Sequence, residues 1–439
     1  MELNTADSYL NEVLSHVRWK KAHGTILKEL ADHISDVRRG FLNKGMEEDE
    51  AERLAVLEMG DAAEIGARFD SAYRPPKNYG VWIPFVALFL FGLLFRLIVG
   101  GSEAVSFGMI LFPAIFAAAY FFPLARLARY AFHVYWLYLT AFTACSAWSF
   151  FWHAEEITSR FLPYFPLFFP VVFALLIYRM RGRGIGGLLL LGLLFGLPGT
   201  LYYFVLFYQR TWLIFLCLVC LFELLCAVFS GWFSCKKWVG VLVVFAPVLL
   251  VALAYFALNP YFFSRISGSW GTYYSPFIKE INSNMPWFGA TDISALSQGS
   301  RTLMFDAQQL DYLSGPYFLT WLSSRLGRFS FAAVAALFAV FLAFTLYASL
   351  RQRSLLYRLA SLGITVYLLI DCAFNVIANL GVIDAITFLP FISGNGVSLV
   401  CNAVLSGLLF SMLYNGVLAD DSSTKKYPRW RLKLVKEEM

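Results

Sequence analysis

A chain of 439 residues that is 59% hydrophobic, only 15% charged and of mean hydropathy +0.63 is too apolar for a single soluble globule, whose apolar share lies nearer half. Its formal charge of +6 comes from basic residues scattered over several short connections, which argues against a nucleic-acid-binding surface. The apolar residues are also segregated. Before Asn78 the sequence is polar and charged, and beyond it apolar blocks of about 20 residues recur, each long enough to cross roughly 30 Å of hydrocarbon.

Residues 1–76 read as a small helical domain. Tyr9, Leu10, Val13, Leu14 and Val17 form one apolar stripe, and Ile26, Leu30, Ile34, Val37 and Phe41 form another at helical spacing. Gly45 and Gly60 are placed to stop helices, Asp61 with Glu64 three residues on fits a capping pair, and Pro75-Pro76 closes the domain. Met1 to Lys20 lacks the uninterrupted apolar core of a signal peptide, so this head is expected to stay in the cytoplasm. His16, His23 and His33 lack the spacing that puts two imidazoles on one helical face, and no metal site is expected there.

The remainder reads as an all-α, polytopic membrane body over residues 79–418, followed by a basic tail over 419–439. About ten spans are expected, near 80–99, 104–123, 129–151, 161–178, 184–208, 211–230, 237–258, 329–350, 358–380 and 396–417. With the N-terminus inside, Arg126 and Arg129, then Arg179, Arg181 and Arg183, then Lys236 and Lys237, then Arg351, Arg353 and Arg358 all fall on cytoplasmic connections. That distribution obeys the positive-inside rule and puts the C-terminus in the cytoplasm too. The seven cysteines, at 145, 217, 220, 226, 235, 372 and 401, lie in or beside spans, so no disulfide framework is implied.

Residues 259–328 form an outer connection far longer than a normal loop, and such loops are usually functional or disordered. Trp270, Tyr273, Tyr274, Trp287 and Phe288 give this one the composition of interfacial, re-entrant segments at the mouth of a lipid-facing cavity. Within the spans, Asp371, Asn375 and Asn379 are spaced four apart on one helical face. With Asn402 they have two readings: lining a hydrated cavity for a lipid head group, or bonding neighbouring helices. Glu223 in the sixth span and Arg96 in the first are either partnered or snorkelling.

Asn375 to Ser398, NVIANLGVIDAITFLPFISGNGVS, carries an Asn-rich helix end, a re-entrant apolar turn and Leu389-Pro390-Phe391-Ile392-Ser393 before a glycine-bearing turn. This resembles the C-terminal signature of the SEDS family (FtsW/RodA/SpoVE), whose members polymerise the lipid-linked disaccharide precursor of peptidoglycan. The long outer loop is similar as well, with Gly271-Thr272-Tyr273-Tyr274, Trp287-Phe288-Gly289 and Phe318 to Gly327 in the family's order. The head, from Tyr9 to Asp70, resembles the HAAS or permease-prefix domain of Firmicute membrane proteins.

The resemblance implies a bacterial plasma-membrane protein that handles a lipid-linked peptidoglycan precursor beside a class B penicillin-binding protein. It calls for no cofactor and leaves room for a divalent cation. Glycan polymerisation needs a base for the attacking hydroxyl and cations for the departing diphosphate. Pro316 fills the family's aspartate position, and Ser324 and Arg325 replace its acidic pair. Asp311, and after it Asp306, are the carboxylates within reach of a shifted loop and are the catalytic candidates. Arg301, Lys279 and Arg265 are placed to face a diphosphate, and Asp371, Asn375, Asn379 and Ser393 complete the substrate-binding candidates. Three functions follow: a SEDS-type glycosyltransferase with a relocated base, a catalytically degenerate SEDS-like regulator or scaffold, and a lipid or small-solute transporter.

Overall fold

A computed structural model describes residues 5–74, 77–100, 107–151, 162–205, 210–246, 275–291, 315–383, 387–392 and 396–416. About 82% of the described residues are helical and no strand occurs among them, so the described part is all-α. The chain divides into two compact units. One comprises Met1–Lys77, Gln352–Ser354 and Leu413–Ser423, and the other holds the rest.

In the first unit one apolar stripe lies on α1 (Ala6–Ser15), with Val17 just past its end, and the other on α2 (His23–Leu42), and α3 (Glu48–Met59) and α4 (Ala62–Tyr73) follow. Tyr9, Leu10, Val13 and Val17 meet Ile26, Leu30 and Ile34 in one core that Ala55, Val56 and Ala62 complete. The ends of these helices are closed by local chemistry. Thr5 accepts from the Ser8 amide and Glu52 from the Ala6 amide at the start of α1, while Asp61 accepts from the Glu64 amide at 3.0 Å to open α4. Gly45 and Gly60 adopt φ of 88° and 87°, the conformation that ends α2 and α3 at low steric cost.

Arg18 clamps the far end of α4. Its backbone amide and its guanidinium both donate to Asp70, at 2.9 Å and 2.7 Å. Those hydrogen bonds hold the Asp70 carboxyl below its ordinary range. Elsewhere in this unit Trp19 meets Tyr414 edge to face, the Lys21 ammonium lies over the Tyr414 ring, and Arg353 donates to the Ala72 carbonyl.

The second unit contains α5 (Tyr79–Gly100), α6 (Phe107–Tyr120), α7 (Ala131–Phe151), α8 (Phe169–Arg179), α9 (Ile185–Val205), α10 (Arg210–Phe229) and α11 (Lys237–Ala246). It continues with α12 (Ser275–Ser283), α13 (Phe318–Leu326), α14 (Arg328–Leu350), α15 (Leu355–Asn379) and α16 (Gly396–Asn415), the last of these up to Met412. Among the described residues four helices are long and apolar enough to cross a membrane: Ile185–Tyr202 within α9, and α14, α15 and α16. A fifth span is possible if the bent pair Phe107–Tyr120 and Leu124–Trp148, which turn through 63°, make one crossing. Tyr79–Phe95, Tyr164–Arg179, Phe215–Phe229 and Lys237–Ala246 are apolar but shorter.

Helix α15 is the hub of this unit. It packs on α14, α8, α10 and α13, and α14 in turn packs on α5. A layer of rings fills the space beside it: Phe85 contacts Phe112, Phe116, Phe341, Phe391 and Phe410 at centroid separations of 4.9 to 6.3 Å. Such rings bury large apolar areas and prefer the tilted and edge-on geometries seen here. Phe391 belongs to the buried segment Thr387–Ile392 and adopts a φ of 69°, a left-handed conformation that its packing against Phe85, Phe112 and Phe341 holds in place.

Candidate functional site

The end of α15 is where the sequence concentrates polar residues, and the physics of a helix terminus explains what they do. The last carbonyls of a helix and the first amides of the next lack partners within the helix and must find them elsewhere when buried. Gly381 supplies the turn. At a φ of 74° it lets its own amide reach the Ala378 carbonyl and the Val382 amide reach Ile377. Its carbonyl accepts from the Ser275 hydroxyl, which fixes the first turn of α12 there.

Asn379 ties three helices together. Its carbonyl accepts from the Thr320 hydroxyl and from the Asn282 amide group, both at 2.9 Å. Its side-chain oxygen accepts from the Thr320 backbone amide at 2.9 Å. Because Tyr317 provides no side-chain cap for α13, Asn379 caps that helix from across the interface. One turn earlier, Asn375 donates to the Pro316 carbonyl at 3.0 Å and to the Thr387 carbonyl at 2.9 Å. Asn379 donates in turn to the Asn375 carbonyl at 2.8 Å. All of Asn375, Asn379, Thr320 and Thr387 are fully buried.

These contacts make a closed polar knot. Both asparagine amides are occupied by protein partners, with no donor left over for a ligand. Pro316 is buried, and its carbonyl is an acceptor within this knot. The knot therefore holds Thr387, the turn before α13 and the end of α15 in one arrangement. Sequence reasoning found the two asparagines but missed Thr320, Thr387, Asn282 and Ser275, which are single polar residues in unremarkable local contexts.

Next to the knot lies a backbone-paired turn. Gly289 and Thr291 donate to the carbonyls of Leu326 and Ser324, and Arg328 and Phe329 donate to those of Pro286 and Trp287. Gly327 sits at φ 95°, and a side-chain carbon there would come within 2.5 Å of the Trp287 carbonyl oxygen, so only glycine fits. The Arg328 guanidinium closes the C-terminal end of α12 by donating to the Asn282 and Ser283 carbonyls. This arrangement leaves Trp287 and Phe288 67% and 73% exposed, side by side on the surface.

Of the diphosphate-facing candidates, Lys279 is on α12, exposed, with its stem against Gly381. Asp371 is buried one turn before Asn375, and one of its carboxyl oxygens has no hydrogen-bond partner among the described residues. Asp311, Asp306, Arg301, Arg265 and Ser393 lie outside the described residues, as does the side chain of Arg96. No group of three or more His, Cys, Asp or Glu that could hold a metal ion occurs among the described residues.

Comparison with known proteins adds no identity to this geometry: no protein-family model matches the chain, and no curated protein matches it in sequence.

Proposed function

We propose that this chain is a polytopic plasma-membrane protein of the bacterial cell envelope, SEDS-like in architecture, that binds a lipid-linked precursor or a partner as a regulator or scaffold. In this reading the membrane body crosses about ten times, both termini are cytoplasmic, and residues 1–76 are its helical input domain. The supporting observation is the state of Pro316. Where the family resemblance places a catalytic carboxylate, this chain has a buried proline whose carbonyl is taken up by Asn375 and Asn379. Proline accepts no proton from a sugar hydroxyl, and a position locked into a helix junction is not free to move toward a substrate.

What such a site retains is recognition. Lys279 presents a cation beside the knot, and Trp287 and Phe288 offer exposed aromatic surface of the kind that sits at a bilayer interface. A diphosphate head group with a lipid tail needs those two features together. The test is binding of fluorescently labelled lipid II to the full-length protein in nanodiscs. Saturable binding that weakens several-fold in Lys279→Ala is expected, whereas no binding in either protein, with or without a class B penicillin-binding protein, would overturn the precursor-binding reading.

A further inference from the structure

A carboxylate among apolar helices, with no counter-charge and no hydrogen-bond donor, is among the costliest groups a protein can bury. Among the described residues Glu223 on α10 is such a group. It is fully buried, and neither carboxyl oxygen has a hydrogen-bond partner among the described residues. Its position is nevertheless built. Helix α10 packs along α15, and the carboxyl rests against the backbone of α15 at Gly363. A side-chain carbon added there would overlap Glu223 Oε1 and come within 2.9 Å of its carboxyl carbon. The facing helix thus carries a notch that admits this acid.

The notch begins a row. Tyr367, Asp371, Asn375 and Asn379 follow Gly363 at intervals of four along α15, and all are buried. The Tyr367 hydroxyl hydrogen-bonds to the Asp371 carboxyl, whose other oxygen has no partner among the described residues. Gly363 and Asp371 are separated by about 12 Å of helix, a gap that Tyr367 partly fills. The asparagine end of the row is saturated and the carboxyl end is not.

We propose that the α10–α15 seam is a proton-binding site in which Glu223 and Asp371 each cycle between carboxylic acid and carboxylate, taking up and releasing one proton. A metal ion needs several converging oxygen ligands, whereas a proton needs one, and each of these acids stands apart from the other. The titratable groups that interact with Glu223 are Cys220 and Cys226 on α10; Arg358 on α15 interacts in turn with Cys226, and Tyr202 on α9 with Cys220. Around Tyr367 and Asp371 they are Cys372 on α15, Cys401 on α16 and Tyr164 before α8. Arg358 is the one permanent charge in this set, and it forms no salt bridge with Glu223 among the described residues. Intramembrane acids in such settings are the usual elements of proton relays.

Infrared difference spectroscopy of the full-length protein in lipid nanodiscs, titrated from acidic to alkaline pH, tests this independently of any lipid-linked ligand. The carbonyl stretching band of a protonated carboxylic acid in apolar surroundings is expected to fade as pH rises. Its glutamate part should be lost in Glu223→Gln and its aspartate part in Asp371→Asn. If Glu223→Gln does not assemble, ¹³C-labelled glutamate assigns the band in the unsubstituted protein by its isotope shift. A band that stays constant across the range, or no such band, would overturn the proposal.

Discussion

The two ends of α15 treat buried polar groups in opposite ways. At one end Asn375 and Asn379 are saturated by Pro316, Thr320, Thr387 and Asn282. Toward the other, Glu223 lies against Gly363 with no partner among the described residues, and Asp371 is half satisfied among them. A saturated network costs little and fixes one arrangement, while an unpaired acid costs stability and persists only if something other than stability retains it. The contrast separates a structural junction from a candidate working site on one helix.

The largest expected effect is at the junction. Asn379→Ala strips the Thr320 amide of its acceptor and removes donors to Asn375, and should destabilise the protein by about 3 kcal/mol. A lowered unfolding midpoint in detergent would register it. If Asn379→Ala proves neutral, the knot is not holding these helices together. For scale, removing one exposed cap with Asp61→Ala should cost about 1 kcal/mol, seen as faster hydrogen exchange at the Glu64 amide.

Glu223→Met sharpens the contrast from the other side. Replacing an unpartnered buried acid by an apolar side chain of similar length should change stability by less than about 1 kcal/mol or raise it. A loss as large as that of Asn379→Ala would mean that Glu223 has a partner contributing to the fold. The smallest effect concerns Asp70. Its carboxyl titrates lower in the folded protein than in the unfolded chain because Arg18 bonds it. Its contribution to stability is therefore present above the ordinary aspartate range and is lost as pH falls through the depressed value. Unfolding midpoints of the native protein and Asp70→Asn should converge at acidic pH and separate toward neutral pH.

Much of this architecture was legible in the sequence where the cause was local. The stripes containing Tyr9 and Ile26, the stops at Gly45 and Gly60 and the Asp61 cap depend on residues three or four apart, and each is found in the structure. Apolar helices also occupy the expected runs, although four of them, or five with the bent pair, have spanning length and composition among the described residues. The 63° bend between Phe107–Tyr120 and Leu124–Trp148 was not legible, because hydropathy gives length and not direction.

The candidate site divides along the same line. The spacing of Asn375 and Asn379 announced a polar face, yet the partners they draw from other segments lie from 12 to 97 positions away, which no local pattern encodes. Glu223 stood out as a charge in an apolar run. Its lack of a partner among the described residues and its notch at Gly363 depend on how α10 meets α15. Asp311 and Asp306, chosen through the resemblance, lie outside the described residues.

The most direct measurement on the functional reading is a polymerisation assay. Purified full-length protein is supplied with lipid II, alone and with candidate class B penicillin-binding proteins whose own glycan synthesis is blocked, and the products are resolved by size. A regulator or scaffold with Pro316 locked into the α13–α15 junction yields no glycan chains. Glycan polymer that disappears in Asp311→Asn would contradict that account and identify a relocated catalytic base.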